Sequence, residues 1–394
     1  MSSPERSILS HIALGYTPLI DRHRVVSATR LTVMPLRPDA RLSATDLLAC
    51  ISQTWPEGGR ELVLKVLSES LLSELLQSSP PRHLLIEVPA FMAVQPALAP
   101  TLQALHRQGH KLLLQGRAHE TMDAAQRACF KFSTLDLQDE AQGDAHLPRL
   151  MSGLRGAAAI DACFARGATG VMAWPMEGAF DLTPQAAHKP EIHTDLQVIV
   201  ELMSRVDQGE DIDRLEQTLT RDPSLAFKLL RYLNSAAFGL PVEVSSFHHA
   251  IMLLGYPRLK RWLALLLTTA SKDHSMRPVM FAALRRGLLM EELAKGVRDA
   301  DLHDEMFICG LFSLLDHMLH QPFDKLLQSI PVPERVRQAL VDEGGPYQPY
   351  LELVRAIEHE SVFEYRSAAE QLMLSAEEIN QGVLKALARA AQLE

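Results

Sequence analysis

Two carboxylates and three histidine-bearing stretches are the parts of this chain whose residue types could do metal chemistry. Glu87 lies in the run Leu84-Leu85-Ile86-Glu87-Val88, and Asp136 ends the run Ser133-Thr134-Leu135-Asp136. Carboxylates are hard oxygen ligands of the kind that hold a divalent ion. Two such groups hold an ion poorly, so the pair reads either as solvated strand-end residues or as the remnant of a polar site. His303-Asp304 sits inside the charged cluster Asp301-Leu302-His303-Asp304-Glu305, where the aspartate reads as a helix-capping acid rather than a ligand. His317 and His320 share a helix face and could clasp a transition metal, with Asp316 as their acidic neighbour. Two ligands are not a site, and 16 histidines in 394 residues make such pairs common by chance. His248 and His249 are adjacent, point to different sides of a helix, and read as surface residues. No cofactor is implied. There is no Gly-x-Ser-x-Gly elbow and no phosphate loop: Gly58-Gly59 reads as opening a helix, and Gly344-Gly345-Pro346 as a turn. Apolar stripes such as Leu288-Leu289-Met290 read as core.

The elements that must position these residues fall into two patterns. Up to about residue 180, short apolar runs alternate with helical ones: strands at His83–Val88, Lys111–Leu114, Phe130–Leu137, Leu147–Ser152 and Gly170–Trp174, helices at Ala97–His106 and Ala157–Arg166. Such alternation predicts a parallel β/α sheet, open or closed as a barrel. Gly178, Pro184 and Pro190 mark a boundary, and nearly everything beyond it is helix-periodic. The expected organisation is a β/α domain over 1–180, a linker over 181–191 and a helical domain over 192–394. A complete β/α barrel typically takes about 250 residues, so one or more elements are expected to be missing from the first domain.

The helical half opens on a well-marked motif. Asp222 can cap a helix and Pro223 suits its first position; Leu225, Leu229, Leu230 and Leu233 then recur on one face. Asn234-Ser235-Ala236-Ala237-Phe238-Gly239 forms the exit, and a second helix from Ser246 is expected to stop at Gly255. Pro257 is expected to start a third, through Trp262 and Leu267. This run, with Ala250-Ile251 and Leu254-Gly255, resembles the HDOD domain, an all-helical relative of the HD phosphohydrolases, from about Glu191 to the C-terminus. In such hydrolases a helix carries a His-Asp metal pair. The matching segment here is Phe307-Ile308-Cys309-Gly310-Leu311-Phe312-Ser313-Leu314-Leu315, with Ser313 and Leu314 at the pair's positions.

The order of elements in the first half is similar to the EAL phosphodiesterase barrel, which hydrolyses cyclic di-GMP. The strand carrying Glu87, the approach Gly109-His110-Lys111-Leu112-Leu113-Leu114 and the strand ending at Asp136 carry the resemblance. The resemblance places Thr29 where the signature glutamate belongs and Val33 where its arginine belongs. Ala90 replaces a second carboxylate, Gln115 and Gly116 an aspartate pair, Thr134 a lysine, Ser152 a glutamate and Met172 a glutamine. Only Glu87 and Asp136 remain as carboxylates, and the groups that would grip a phosphate are largely gone.

Composition bounds the partners. The chain is 47% hydrophobic and 22% charged, with a formal net charge of −9, which opposes broad adsorption to nucleic acid or anionic lipid. Arg258-Lys260-Arg261 and Arg285-Arg286 read as solvated helix faces. No run of about 20 apolar residues predicts a membrane span, the first residues lack a cleavage pattern, and four scattered cysteines read as reduced and buried; the expected location is the cytoplasm. What the two resemblances imply is a catalytically inactive, bacterial EAL–HDOD signalling protein working through protein partners that the sequence does not name. Self-association is compatible with them. The alternatives are a cyclic di-GMP receptor that does not hydrolyse its ligand, and a metal-dependent phosphodiesterase with ligands at new positions.

Overall fold

Asp21 makes the first turn of the fold. Its Oδ1 accepts from the backbone N–H of His23 at 2.8 Å and of Val25 at 2.9 Å, while Arg24 takes a left-handed φ of 61°. This side-chain turn reverses the chain, and strands β1 (Ile12–Asp21) and β2 (Val26–Pro35) pair antiparallel. The structure is a computed structural model describing residues 7–55, 61–78, 80–116, 122–137, 147–176, 194–219, 247–269, 276–297, 300–319 and 321–393. By packing they form two compact units, residues 1–178 with 355–384, and residues 179–354 with 385–394.

In the first unit β2 is followed by six further strands, each parallel to the one before: β3 (Glu61–Val66), β4 (Leu84–Pro89), β5 (Lys111–Gln115), β6 (Phe130–Asp136), β7 (Arg149–Arg155) and β8 (Gly170–Trp174). β8 pairs antiparallel with β1, and the eight strands close into a barrel. The expected shortfall of elements is thus corrected. A hairpin replaces the first crossover, and helices of four to eleven residues, such as Ala90–Ala93, Ala124–Arg127 and Ala44–Thr54, serve the others. Serine side chains start two of these helices, Ser43 accepting from the N–H of Asp46 and Ser68 from that of Leu71. Residues after Gly59 form β3 rather than the expected helix: Leu62 and Leu64 face one way, Val63 and Lys65 the other, and both sides are covered.

Each strand sends one side chain into a single apolar layer inside the barrel: Leu19, Ala28, Val63, Leu85, Leu113, Phe132, Leu150 and Met172. Because side chains alternate with a period of two, the next inward residues toward the C-terminal ends of β2 to β7 are Arg30, Lys65, Glu87, Gln115, Thr134 and Ser152, with Thr17 on the reversed β1. An apolar floor therefore carries a polar layer.

The expected helical domain over 192–394 is interrupted, because residues 355–384 pack with the barrel. The physical reason is Asn380, which is fully buried. Its Nδ2 donates to the carbonyls of Leu9 (2.8 Å) and Ile12 (2.7 Å), and its Oδ1 accepts from the N–H of Leu14 (2.9 Å). These groups at the start of β1 have no water to turn to.

In the second unit, Phe247–Thr269 is two helices joined at Gly255, whose φ of 70° and ψ of 170° break the helix where the sequence predicts. The motif residues Asp222, Pro223, Asn234, Ser235, Phe238 and Gly239 lie outside the described residues. Helices Arg277–Leu293 and Ala300–Phe312 lie against each other at two glycines. A Cβ on Gly287 would stand 2.9 Å from the carbonyl oxygen of Phe307, and one on Gly310 would stand 2.5 Å from that of Arg286. Arg285 and Arg286 are buried here, at 1% and 6% exposure, which corrects their reading as a solvated face. No helix among the described residues is long and apolar enough to cross a membrane.

Two stability outcomes are expected in urea unfolding followed by hydrogen exchange. Asn380→Ala leaves three backbone groups without partners and costs roughly 1–3 kcal/mol for each that water cannot reach. Gly310→Ala forces two helices apart and costs roughly 1–3 kcal/mol.

Candidate site at the barrel mouth

The polar layer is organised around an arginine. Arg30 is 6% exposed and reaches the interior because β2 places Ala28, Arg30 and Thr32 on its inward face. Thr29 and Val33 face outward. The resemblance had assigned the signature's glutamate and arginine to those two positions, one residue out of phase with the barrel's inside; the side chain that enters the site is Arg30, a cation where a metal-binding carboxylate would be needed. A charged residue in the otherwise uncharged run from Val25 to Met34 is the signal that marks it.

Its principal partner comes from the far end of the chain. Arg30 Nη2 stands 3.1 Å from Glu360 Oε1, an oxygen that also accepts from the hydroxyls of Thr17 (3.0 Å) and Thr32 (2.8 Å), while Lys65 Nζ lies 3.8 Å from Oε2. Arg30 Nη1 points to the sulfur of Met172 at 3.3 Å. Glu360 sits between helices Gln348–Glu358 and Val362–Leu372, in a left-handed backbone conformation with φ 54°. The turn is fastened by Trp174 Nε1, which donates to the Glu358 carbonyl at 3.0 Å, and by the Tyr16 hydroxyl, 3.4 Å from the Glu358 carboxylate. Gly15 makes room: a Cβ there would lie 2.9 Å from Glu360 Cγ and from the Ile357 carbonyl oxygen.

Glu87 lies in the same layer, 1% exposed, which overturns the solvated strand-end reading for this residue. Its Oε1 accepts from the Thr134 hydroxyl at 3.3 Å, and its Oε2 has no hydrogen-bond partner. Burial pushes its carboxyl above the ordinary glutamate range, against the pull of Arg30 and Lys65. Burial would also raise Glu360, but the charges of Arg30 and Lys65 and the threonine hydroxyls overcome it and hold its carboxyl low. Burial works against the Arg30 charge too, and is outweighed by Glu360 and Glu87.

Beside this network a pocket of about 420 Å³ opens at the strand ends. Its lining includes Ala90, Gln115, Gly116, Thr134, Asp136 and Ser152, so the structure brings together most of the positions that the EAL resemblance singles out. Asp136 is exposed and accepts from Ser152 Oγ at 3.3 Å. The donor set does not fit a divalent ion. The inward carboxylates Glu87 and Glu360 are bound to threonines and basic side chains, and among the described residues no three His, Cys, Asp or Glu side chains are grouped to hold one.

The helical unit has turned its corresponding positions to packing. Ser313 Oγ accepts from Arg286 Nη1 at 3.1 Å and donates to the Gly310 carbonyl at 2.7 Å, and Leu314 is buried. Asp304 is not a cap: it lies inside helix Ala300–Phe312 and accepts from Arg261 Nη1 at 3.3 Å, while His303 Nε2 meets the carbonyls of Ala294 and Val297. His317 Nδ1 pairs with Asp316 at 2.9 Å, and His320 lies outside the described residues.

Opposite outcomes are expected for two variants in the barrel's polar layer. Arg30→Met removes the guanidinium from Glu360 and Glu87, leaves Lys65 to neutralise both, and destabilises the unit by roughly 3–5 kcal/mol. Glu87→Gln leaves the melting temperature unchanged or higher at neutral pH. Its raised pKa means that burying the group carries a penalty that grows as pH rises through that value, and glutamine removes it. Glu360, with its lowered pKa, stabilises above the ordinary glutamate range. That stabilisation is lost as pH falls through the lowered value, so thermal melting against pH in Glu360→Gln should show a shallower acid-side decline than the wild type, the remainder coming from carboxyls such as Glu291 that are also held low.

Comparison with known proteins locates the helical half. Residues 190–321 match the HDOD domain family. The chain is 32% identical over 186 residues to the uncharacterised protein YuxH of Bacillus subtilis, covering 46% of this chain and 45% of that protein. It is 25% identical over 183 residues to the cyclic di-GMP phosphodiesterase CdgJ of Vibrio cholerae, covering 46% and 42%. It thus spans less than half the length of these relatives. A solved structure from Shewanella amazonensis covers 50% of this chain and 91% of its own at 14% identity, with a TM-score of 0.29, too low to carry an argument. Together with the helix break at Gly255 and the Gly287–Gly310 helix pair, the match identifies residues 190–321 as an HDOD domain.

Proposed function

We propose that this protein is a catalytically inactive EAL–HDOD signalling protein of a bacterial cyclic di-GMP pathway, whose HDOD domain acts by binding other proteins. The observation that carries the reading is the occupant of the barrel's polar layer: Arg30, bound to Glu360, stands on the strand where the EAL resemblance needs a metal-binding carboxylate. Metal-assisted phosphodiester hydrolysis needs several hard oxygen ligands around an ion and a polarised water. A guanidinium and an ammonium in that layer repel the ion, and Glu87 is spoken for by Thr134 on one oxygen and buried on the other. Similarity to CdgJ supports the signalling context, and the replacement of the His-Asp pair by Ser313 and Leu314 supports inactivity in the helical half as well.

A receptor for cyclic di-GMP is the second reading, favoured by the pocket of about 420 Å³ with Asp136 and Ser152 on its wall. One titration separates the readings. Purified full-length protein is titrated calorimetrically with cyclic di-GMP in the presence of Mg²⁺ or Mn²⁺, and the nucleotide is analysed afterwards. No heat and no linear product is the expected result. Heat without product establishes the receptor in place of the scaffold, and linear dinucleotide overturns the inactive reading altogether.

A further inference from the structure

Glu360 is bound in the way that proteins bind an oxyanion ligand. A guanidinium, an ammonium and two hydroxyls converge on one carboxylate, from Arg30, Lys65, Thr17 and Thr32 on three adjacent strands. Charge-assisted donors arranged around a planar or tetrahedral oxyanion are the usual means of holding carboxylate or phosphate. Thr17, Thr32 and Lys65 are not among the positions that the EAL resemblance singles out. The carboxylate is delivered from a turn between two helices, and not from the barrel wall. Its left-handed backbone caps the preceding helix, the Ser361 N–H returning to the Ala356 carbonyl and the Glu360 N–H to that of Ile357, and this turn aims the side chain at the barrel. Gly15 lacks the Cβ that would keep the turn out.

We propose that Glu360 is a built-in occupant of an oxyanion site at the barrel mouth, and that the turn at residues 358–361 is a latch which a phosphate-bearing solute displaces by competing for the same cradle. Seated, the carboxylate neutralises the two cations and closes the mouth over them. Displaced, it leaves Arg30, Lys65, Thr17 and Thr32 to the solute and loosens the turn, whose other ties include those of Trp174 and Tyr16 to Glu358. The proposal stands apart from whether the chain signals through its HDOD domain, since it concerns which anion fills the cradle.

The probe is inorganic pyrophosphate, added to the full-length protein at constant ionic strength made up with chloride, so that general screening is held fixed. In the wild type, hydrogen exchange of the amides at 358–362 is expected to quicken severalfold with excess pyrophosphate, while the strands keep their protection. Unchanged exchange overturns the proposal, and this arm needs no variant to fold. In the second arm Glu360→Gln, its fold checked by circular dichroism, is titrated with pyrophosphate. Removing the competing charge is expected to tighten binding at least about tenfold over wild type, because the cradle is then populated in its competent form. Adding Arg30→Gln to that variant should abolish the gain. Equal affinity in the two proteins, or a gain that survives loss of Arg30, overturns the assignment.

Discussion

Everything at the mouth of the barrel follows from placing one guanidinium inside it. A buried arginine carries a desolvation cost of several kcal/mol that only well-aimed partners offset. Arg30 finds them in Glu360, in the Thr17 hydroxyl and in the nearby Glu87. The partner carboxylate then requires its own donors, which Thr32 and Lys65 supply. Close approach of the turn bearing Glu360 requires a strand residue without a side chain, and Gly15 provides it. A network of this kind stabilises most when every member is satisfied; Arg30 Nε and Glu87 Oε2 are buried without a hydrogen-bond partner, and the latter belongs to the carboxyl whose pKa burial drives upward.

A second set of contacts, centred on Asn380, holds residues 355–384 against the barrel. An eight-stranded barrel whose first strand is reversed has a start that no β/α crossover covers. Asn380 covers it by pairing with the backbone of Leu9, Ile12 and Leu14, and Tyr365 stands beside it with its hydroxyl 3.5 Å from Asn380 Oδ1. The C-terminal helical hairpin does for β1 what a crossover helix would do for a parallel strand, and in doing so it carries Glu360 to the mouth.

The HDOD domain likewise holds buried charged groups against partners on neighbouring helices. Where a hydrolase would carry ligands, Ser313 satisfies the buried Arg286, and Gly310 lets the helix lie close against the one bearing Gly287. Asp304 and His303, a ligand pair in name only, tie Arg261 and two carbonyls. Arg261 in turn stacks on Phe307, 3.9 Å from the ring centre, and pairs with Glu291. These polar groups are held by neighbours on adjacent helices, where they contribute shape and charge to the core.

Local signals determined what local physics can decide. Short apolar runs marked β4, β5, β6 and β8 within a residue or two, and the glycine and proline at 255 and 257 marked a helix break, because strand-length apolar runs and turn chemistry act over a few residues. The reversed hairpin of β1 and β2 and the strand β3 were missed, since long apolar runs buried on both faces lose the alternation that identifies a strand. Glu87 was legible as a candidate but its burial was not. Arg285 and Arg286 looked like a solvated face because burial of a charge depends on partners that lie elsewhere in the chain. The pairing of Arg30 with Glu360 spans 330 positions, and no pattern in either segment contains it. The type of each residue at the site was written in the sequence; which face of its strand it occupies and which distant group neutralises it were decided by barrel closure, because a one-residue shift in register turns every side chain of a strand from one face to the other.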